Sequence, residues 1–183
     1  MTSRGATDER SGEGRSAVVE LVTRAVELGA TDPNSARQLL DTARTAARAG
    51  GDLAAEALVV DHVARLDFDG GRFAEAFAAA LVARDLAVRG DDAEVEVSAL
   101  TLLGRVHGQA GNPSAALDHF AAALQRCREA GLHGSEATLL REMGEAFGVG
   151  DSYRHTRVGV YFGEEGVEHP DPYFGGDGPA RTG

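Results

Sequence analysis

Tryptophan is absent from this chain, cysteine occurs once, methionine twice, and aromatic residues make up only 5% of it. The single thiol, Cys127, excludes an intrachain disulfide and a Cys-rich zinc site. With so few rings, a core has to be built from small aliphatic side chains, and much of the 43% hydrophobic content is alanine. Such side chains suit helices whose axes approach closely. Positive charge is scarce too. The 18 basic residues stand against 29 acidic ones, a formal net charge of −11. That balance argues against non-specific nucleic-acid binding and against an anionic membrane surface. No run reaches the roughly 18 apolar residues of a membrane-spanning helix. The N-terminal residues MTSRGATDERSGEG carry charges and glycines but no apolar signal-peptide core. A soluble, cytoplasmic chain with neither nucleic-acid nor membrane partner is the expectation.

Catalytic signatures are missing as well. The histidines form neither HxxxH nor HExxH, so a helix-borne zinc site is unsupported. There is no GxSxG and no Walker-type glycine loop. Cys127, on a seam with Ala123 and Ala130, reads as a small buried thiol rather than a nucleophile. Asp91, Asp92, Glu94 and Glu96 cluster at a helix start, where the macrodipole favours negative charge. They lack the loop glycine and spacing of a calcium site. No catalytic residue, cofactor or metal is assigned.

What the chain does have is a repeat. Ala36, Ala76 and Ala116 hold one place in three successive segments of 40 residues, and Ala43, Ala83 and Ala123 keep step with them. Val63, Leu103 and Met143 form a third set, and Gly104 matches Gly144, with Ala64 in the earlier copy. Self-similarity at such a period marks a stacked helical array.

Apolar residues at helical spacing predict seven helices. The first carries Val18, Leu21, Val22, Ala25 and Leu28 and ends at Gly29. Asp32 and Pro33 are the N-cap and first residue of the second, which bears Ala36, Leu39, Leu40 and Ala43 and stops at Gly50-Gly51. The third spans about 52–68, with Leu58, Val59, Val63 and Leu66 inward. The fourth spans about 72–88, with Phe73, Ala76, Phe77, Ala80 and Ala83 inward and Gly90 as C-terminal cap. The fifth, sixth and seventh span about 92–109, 113–130 and 135–147. Short loops predict antiparallel neighbours. Beyond Gly148 the pattern changes. VGVYF at 158–162 predicts a short strand, and the prolines and glycines at 170–179 argue against another helix. The expected organisation is a disordered leader over 1–14, a repeat domain over 15–148 and an irregular tail over 149–183. The fold class is all-α, an antiparallel helix-hairpin array.

Leu100, Leu103, Gly104, His107, Gly111, Ala116, Phe120 and Ala123 together resemble the tetratricopeptide repeat. Gly104 and Ala116 are small where two helices cross, Leu100 and Phe120 fill the space beside them, and His107 stands where an aromatic is usual, as a buried, satisfied side chain. The period exceeds the family's roughly 34 residues, so each helix is longer than its norm. The resemblance implies that the first helix of each pair lines a concave surface. That places Leu58, Asp61 and Arg65 beside Ser98, Thr101 and Arg105, then Thr138, Arg141 and Glu145. An arginine ladder able to clamp the carboxylates of an acidic or C-terminal peptide is the functional expectation, since the guanidinium fork pairs bidentately with carboxylate. Asp61 with Arg65, and Arg141 with Glu145, also read as ordinary helix-surface ion pairs. The partner expected is a protein or peptide; the oligomeric state stays open.

From about Met143 onward, Gly148-Val149-Gly150-Asp151, Val158-Gly159-Val160-Tyr161-Phe162-Gly163 and Pro170-Asp171-Pro172-Tyr173-Phe174-Gly175-Gly176 are similar to an internal segment of flavin-dependent GMC oxidoreductases of the cholesterol-oxidase-like group. Those enzymes bind FAD through an N-terminal GxGxxG unit, and this chain has none. His155 and His169 do not match the family's catalytic positions. Three origins of the tail stay open: a truncated or fused reading frame, descent into a flexible arm, and a chance or synthetic join. The expected function is a non-catalytic interaction or regulatory module, and the alternative is an inactive oxidoreductase fragment.

Overall fold

A computed structural model describes the backbone from Ser3 to Ala146 and side chains over 14–144. Within those limits the chain forms seven helices: α1 (Ser3–Gly29), α2 (Pro33–Gly50), α3 (Leu53–Asp69), α4 (Phe73–Arg89), α5 (Ala93–Gln109), α6 (Pro113–Glu129) and α7 (His133–Ala146). There is no strand among the described residues, and the architecture is all-α. The strand expected at 158–162 and the tail at 149–183 lie outside them. Helix α1 is already formed at Ser3, within the stretch expected as a leader.

The turns explain the regularity. Asp52, Arg72, Asp92, Asn112 and Leu132 each donate a backbone N–H to a carbonyl five residues back. The residue before each of them donates to a carbonyl three residues back. Together these are Schellman motifs, whose closing residue has to be left-handed. Gly51, Gly71, Asp91, Gly111 and Gly131 fill that place, with φ of 66°, 73°, 52°, 71° and 68°. The backbone device therefore recurs every 20 residues, half the side-chain period. Side-chain caps follow: Asp32, Asp52, Asp92 and Asn112 accept from the N–H groups of Ser35, Ala55, Val95 and Ala115. Arg72 makes no side-chain cap and reaches back to Asp67 instead.

Helix pairs α1–α2, α3–α4 and α5–α6 pack as hairpins, and α2–α3, α4–α5 and α6–α7 join them. The odd-numbered helices also touch in sequence, α1 to α3 to α5 to α7. No two even-numbered helices pack as extensively among the described residues, so the odd ones form one layer. Alanine columns set the spacing: Ala36, Ala43, Ala76, Ala83, Ala116 and Ala123 are all buried. A Cβ added at Gly104 would lie 2.9 Å from the Phe120 ring. One repeat earlier the same place holds Ala64 against Ala80, both buried.

Two expectations, for Phe73 and His107, need correction. Phe73 is 40% exposed rather than inward, because it opens α4 and lies edge-on to Phe68 at 5.3 Å. Gly90 is the C-cap of α4 as expected, at φ −88°, and the left-handed residue follows it at Asp91. Gly90 is required for another reason: a Cβ there would sit 2.8 Å from the Ala54 nitrogen. His107 is half-buried rather than buried. It stacks on His119 at 5.2 Å and meets the Phe77 edge at 5.3 Å.

Candidate binding groove

The layer of odd-numbered helices carries the residues singled out by the repeat register. Asp61 is 3% exposed. Its Oδ2 accepts from Arg65 Nε at 2.9 Å and from the Ser98 hydroxyl at 2.5 Å, and Arg65 Nη2 donates to Ser98 Oγ at 2.6 Å. Adjacent odd helices are thus tied by a closed triad. Asp61 Oδ1 is buried and has no hydrogen-bond partner among the described residues. Thr101 donates to the Val97 carbonyl of its own helix at 2.7 Å. Arg105 lies 4.2 Å over the Phe68 ring, with Nε 3.4 Å from Glu142 Oε2. Arg141 is exposed and reaches the other oxygen of Glu142 at 3.4 Å. Glu142 therefore bridges two of the three arginines. The Glu145 side chain lies outside the described residues.

Two cavities open beside this row. The larger, of about 510 Å³, is lined by residues of α1, α2, α3 and α5, including Arg65 and Arg105. The smaller, of about 300 Å³, is lined by Arg65, Ser98 and Thr101 with Glu94, Glu142 and Thr138. Arg65 belongs to both. Asp61 and Arg141 line neither. Four of the six candidate residues thus border open space, while Asp61 positions two of them.

Sequence reasoning missed the acids of α3. Glu56 and Asp67 are buried, like Asp61. Arg48 binds Glu56 at 2.6 Å; Arg37 binds Asp67 bidentately at 2.7 and 3.2 Å, with Arg72 also on Asp67 at 2.7 Å. A buried carboxylate needs such partners. The signal was available in the register. Arg37 and Asp67 are 30 apart, as are Phe77 and His107, which make a ring contact at the equivalent place one repeat on.

Titration fits this burial. Desolvation pulls the His62 pKa down, aided by Arg65 and opposed by Asp61. His119 is lowered by desolvation and then by its neighbours His107 and Arg84. Burial, with a smaller effect of Glu136, pushes the Cys127 thiol up, which keeps it in the unreactive form. Among the described residues no group of three or more His, Cys, Asp or Glu converges as metal ligands, and no helix is long and apolar enough to cross a membrane.

A short part of the chain is similar to cholesterol oxidases. It is 51% identical over 47 residues to the cholesterol oxidase of Acinetobacter baumannii, covering 24% of this chain and 8% of that protein. It is 48% identical over 50 residues to the cholesterol oxidases of two Mycobacterium tuberculosis strains, covering 25% of this chain and 9% of each. The matched stretch thus spans less than a tenth of these relatives' length. No protein-family profile matches the chain, and no solved structure does.

Proposed function

We propose that the helical array is a non-catalytic, cytoplasmic binding module of tetratricopeptide-like design, which holds a segment of a partner protein or peptide along the odd-numbered helices. The observation that carries this is that two cavities share Arg65, the smaller lined wholly by the odd-numbered helices α3, α5 and α7. The close crossing of Gly104 and Phe120 supports the tetratricopeptide-like register. Arg65 and Arg105 supply charge for a carboxylate, and Ser98 and Thr101 supply hydroxyls. Removing Arg65 alone would strand the buried Asp61, so a test has to separate folding from binding. Isothermal titration of an acidic peptide into wild type, Arg105→Gln and the paired Asp61→Asn, Arg65→Gln variant does so. Loss of about tenfold or more in both variants is expected, the scale of a charge-assisted hydrogen bond. Equal affinity in all three proteins would sink the arginine ladder.

The similarity to cholesterol oxidases favours a second reading, that this chain is a piece of a flavin-dependent GMC oxidoreductase, inactive on its own. The 41 residues from Met143 to Gly183 carry the GMC-like runs. Absorbance of the purified protein tests the fragment reading in one direction. A flavin band that survives gel filtration supports the fragment and contradicts the module.

A further inference from the structure

The larger cavity has a two-sided chemistry. Its apolar lining comes mostly from α1 and α2, as Ala25, Val26, Ala36 and Leu40, joined by Leu66 of α3. Its cationic lining comes from α3 and α5, as Arg65 and Arg105, with His62 beside them and Asp69 the single carboxylate. Neither guanidinium is used up. Arg65 donates through Nε and Nη2 only, and Arg105 meets Glu142 through Nε at 3.4 Å, with no hydrogen bond from its Nη atoms to a described residue. Burial favours the neutral form of His62, whose ring is able to donate one hydrogen bond. A cleft with apolar walls and a few polar groups is the usual form of a small-molecule site, and about 510 Å³ is within the usual range.

We propose that this cavity binds a small amphipathic carboxylate, its apolar body against α1 and α2 and its carboxylate between Arg65 and Arg105. The site shares two arginines with the peptide groove but does not depend on it. The probes are octanoate, 1-octanol and octylammonium, titrated calorimetrically into the full chain, with an acidic peptide in parallel. Octanoate is expected to bind, 1-octanol more weakly, and octylammonium not at all. Arg105→Gln should weaken octanoate about tenfold or more while leaving 1-octanol unchanged. Val26 is 56% exposed, so Val26→Trp keeps the fold while filling the mouth, and should abolish binding of both. Circular dichroism confirms that each variant is helical. Undetectable octanoate binding at millimolar concentration, equal affinity for octylammonium, or binding undiminished by Val26→Trp overturns the proposal. Peptide binding that survives Val26→Trp while octanoate is lost separates the small-molecule site from the groove. Loss of peptide binding alone, in wild type, overturns only the peptide reading.

Discussion

At the scale of single residues, the contact between Gly104 and Phe120 has the most defined energetics. Phe120 is completely buried, so Phe120→Ala should cost about 3–5 kcal/mol. Gly104→Ala combines two effects of opposite sign. It should gain about 1 kcal/mol of helix propensity. It should lose about 1–3 kcal/mol because the new methyl meets the ring at 2.9 Å. The net change in wild type is therefore expected to lie between neutral and about 2 kcal/mol destabilising. In a Phe120→Ala background the clash is gone, and the pair becomes the Ala64 and Ala80 arrangement of the preceding repeat. There Gly104→Ala should stabilise by about 1 kcal/mol. Urea unfolding of the four proteins gives the coupling directly. Strictly additive changes would mean that the two side chains do not meet.

At the scale of the helix and its turn, the backbone repeats more tightly than the side chains. Each turn needs one left-handed residue, and Asp91 is the non-glycine among the five. Left-handed geometry costs an L-residue about 1–2 kcal/mol, somewhat less for Asp. Asp91→Gly should therefore stabilise by up to about 1 kcal/mol, and Gly71→Ala should destabilise by about 1 kcal/mol. Nothing lies within 4 Å of a Cβ at Gly71, so a loss there is backbone strain alone. Thermal unfolding of both variants checks the pair; a destabilised Asp91→Gly protein would contradict the turn geometry. Much of this level was legible in advance. Glycines at the other turns, Asp32 and Pro33 at a helix start, and the alanine columns all mark themselves locally. Gly90 was legible as the cap of α4, while the close approach to Ala54 at 90 and the left-handed turn at 91 were not. The groove row was legible from the 40-residue register, but its partners were not. Arg15 with Asp52, Asp61 with Ser98, and Arg105 with Glu142 are each 37 apart. That offset comes from how successive odd helices stack, and no local propensity encodes it. The buried acids of α3 are a different case, since Arg37 and Asp67 keep the 30-residue offset that Phe77 and His107 repeat, and a carboxylate's partner decides whether it faces inward.

At the scale of the whole molecule, charge and burial set the response to pH. The chain has no lysine, and every cation in the ion-pair network is arginine, which stays charged throughout. The titrating groups near neutrality are histidines. His62 and His119 both have pKa values lowered from 6.5 by burial first. The unfolded chain therefore binds protons at a higher pH than the native one, and stability rises with pH across that interval. Their contribution is complete above 6.5 and is lost progressively as pH falls toward the lowered folded values. A second window opens lower down. Asp52, held down by Arg15 and by its role as N-cap of α3, contributes stability above 3.8 that is lost as pH falls through its lowered folded value. An opposing effect acts in the upper window, because the net negative charge repels itself less as pH falls toward the pI of about 4.9; below it the chain is positive and repulsion grows again. Wild-type melting temperature alone mixes these terms, and a difference isolates one of them. Between pH 7.5 and 5, at fixed ionic strength, wild type should lose more melting temperature than a His62→Gln, His119→Gln variant. Repulsion is nearly the same in the two proteins, so the excess loss reports the two half-buried rings. Parallel curves would mean that both rings are solvated in the native state, and the packing assigned to α3 and to the α5–α6 hairpin would be wrong at those positions.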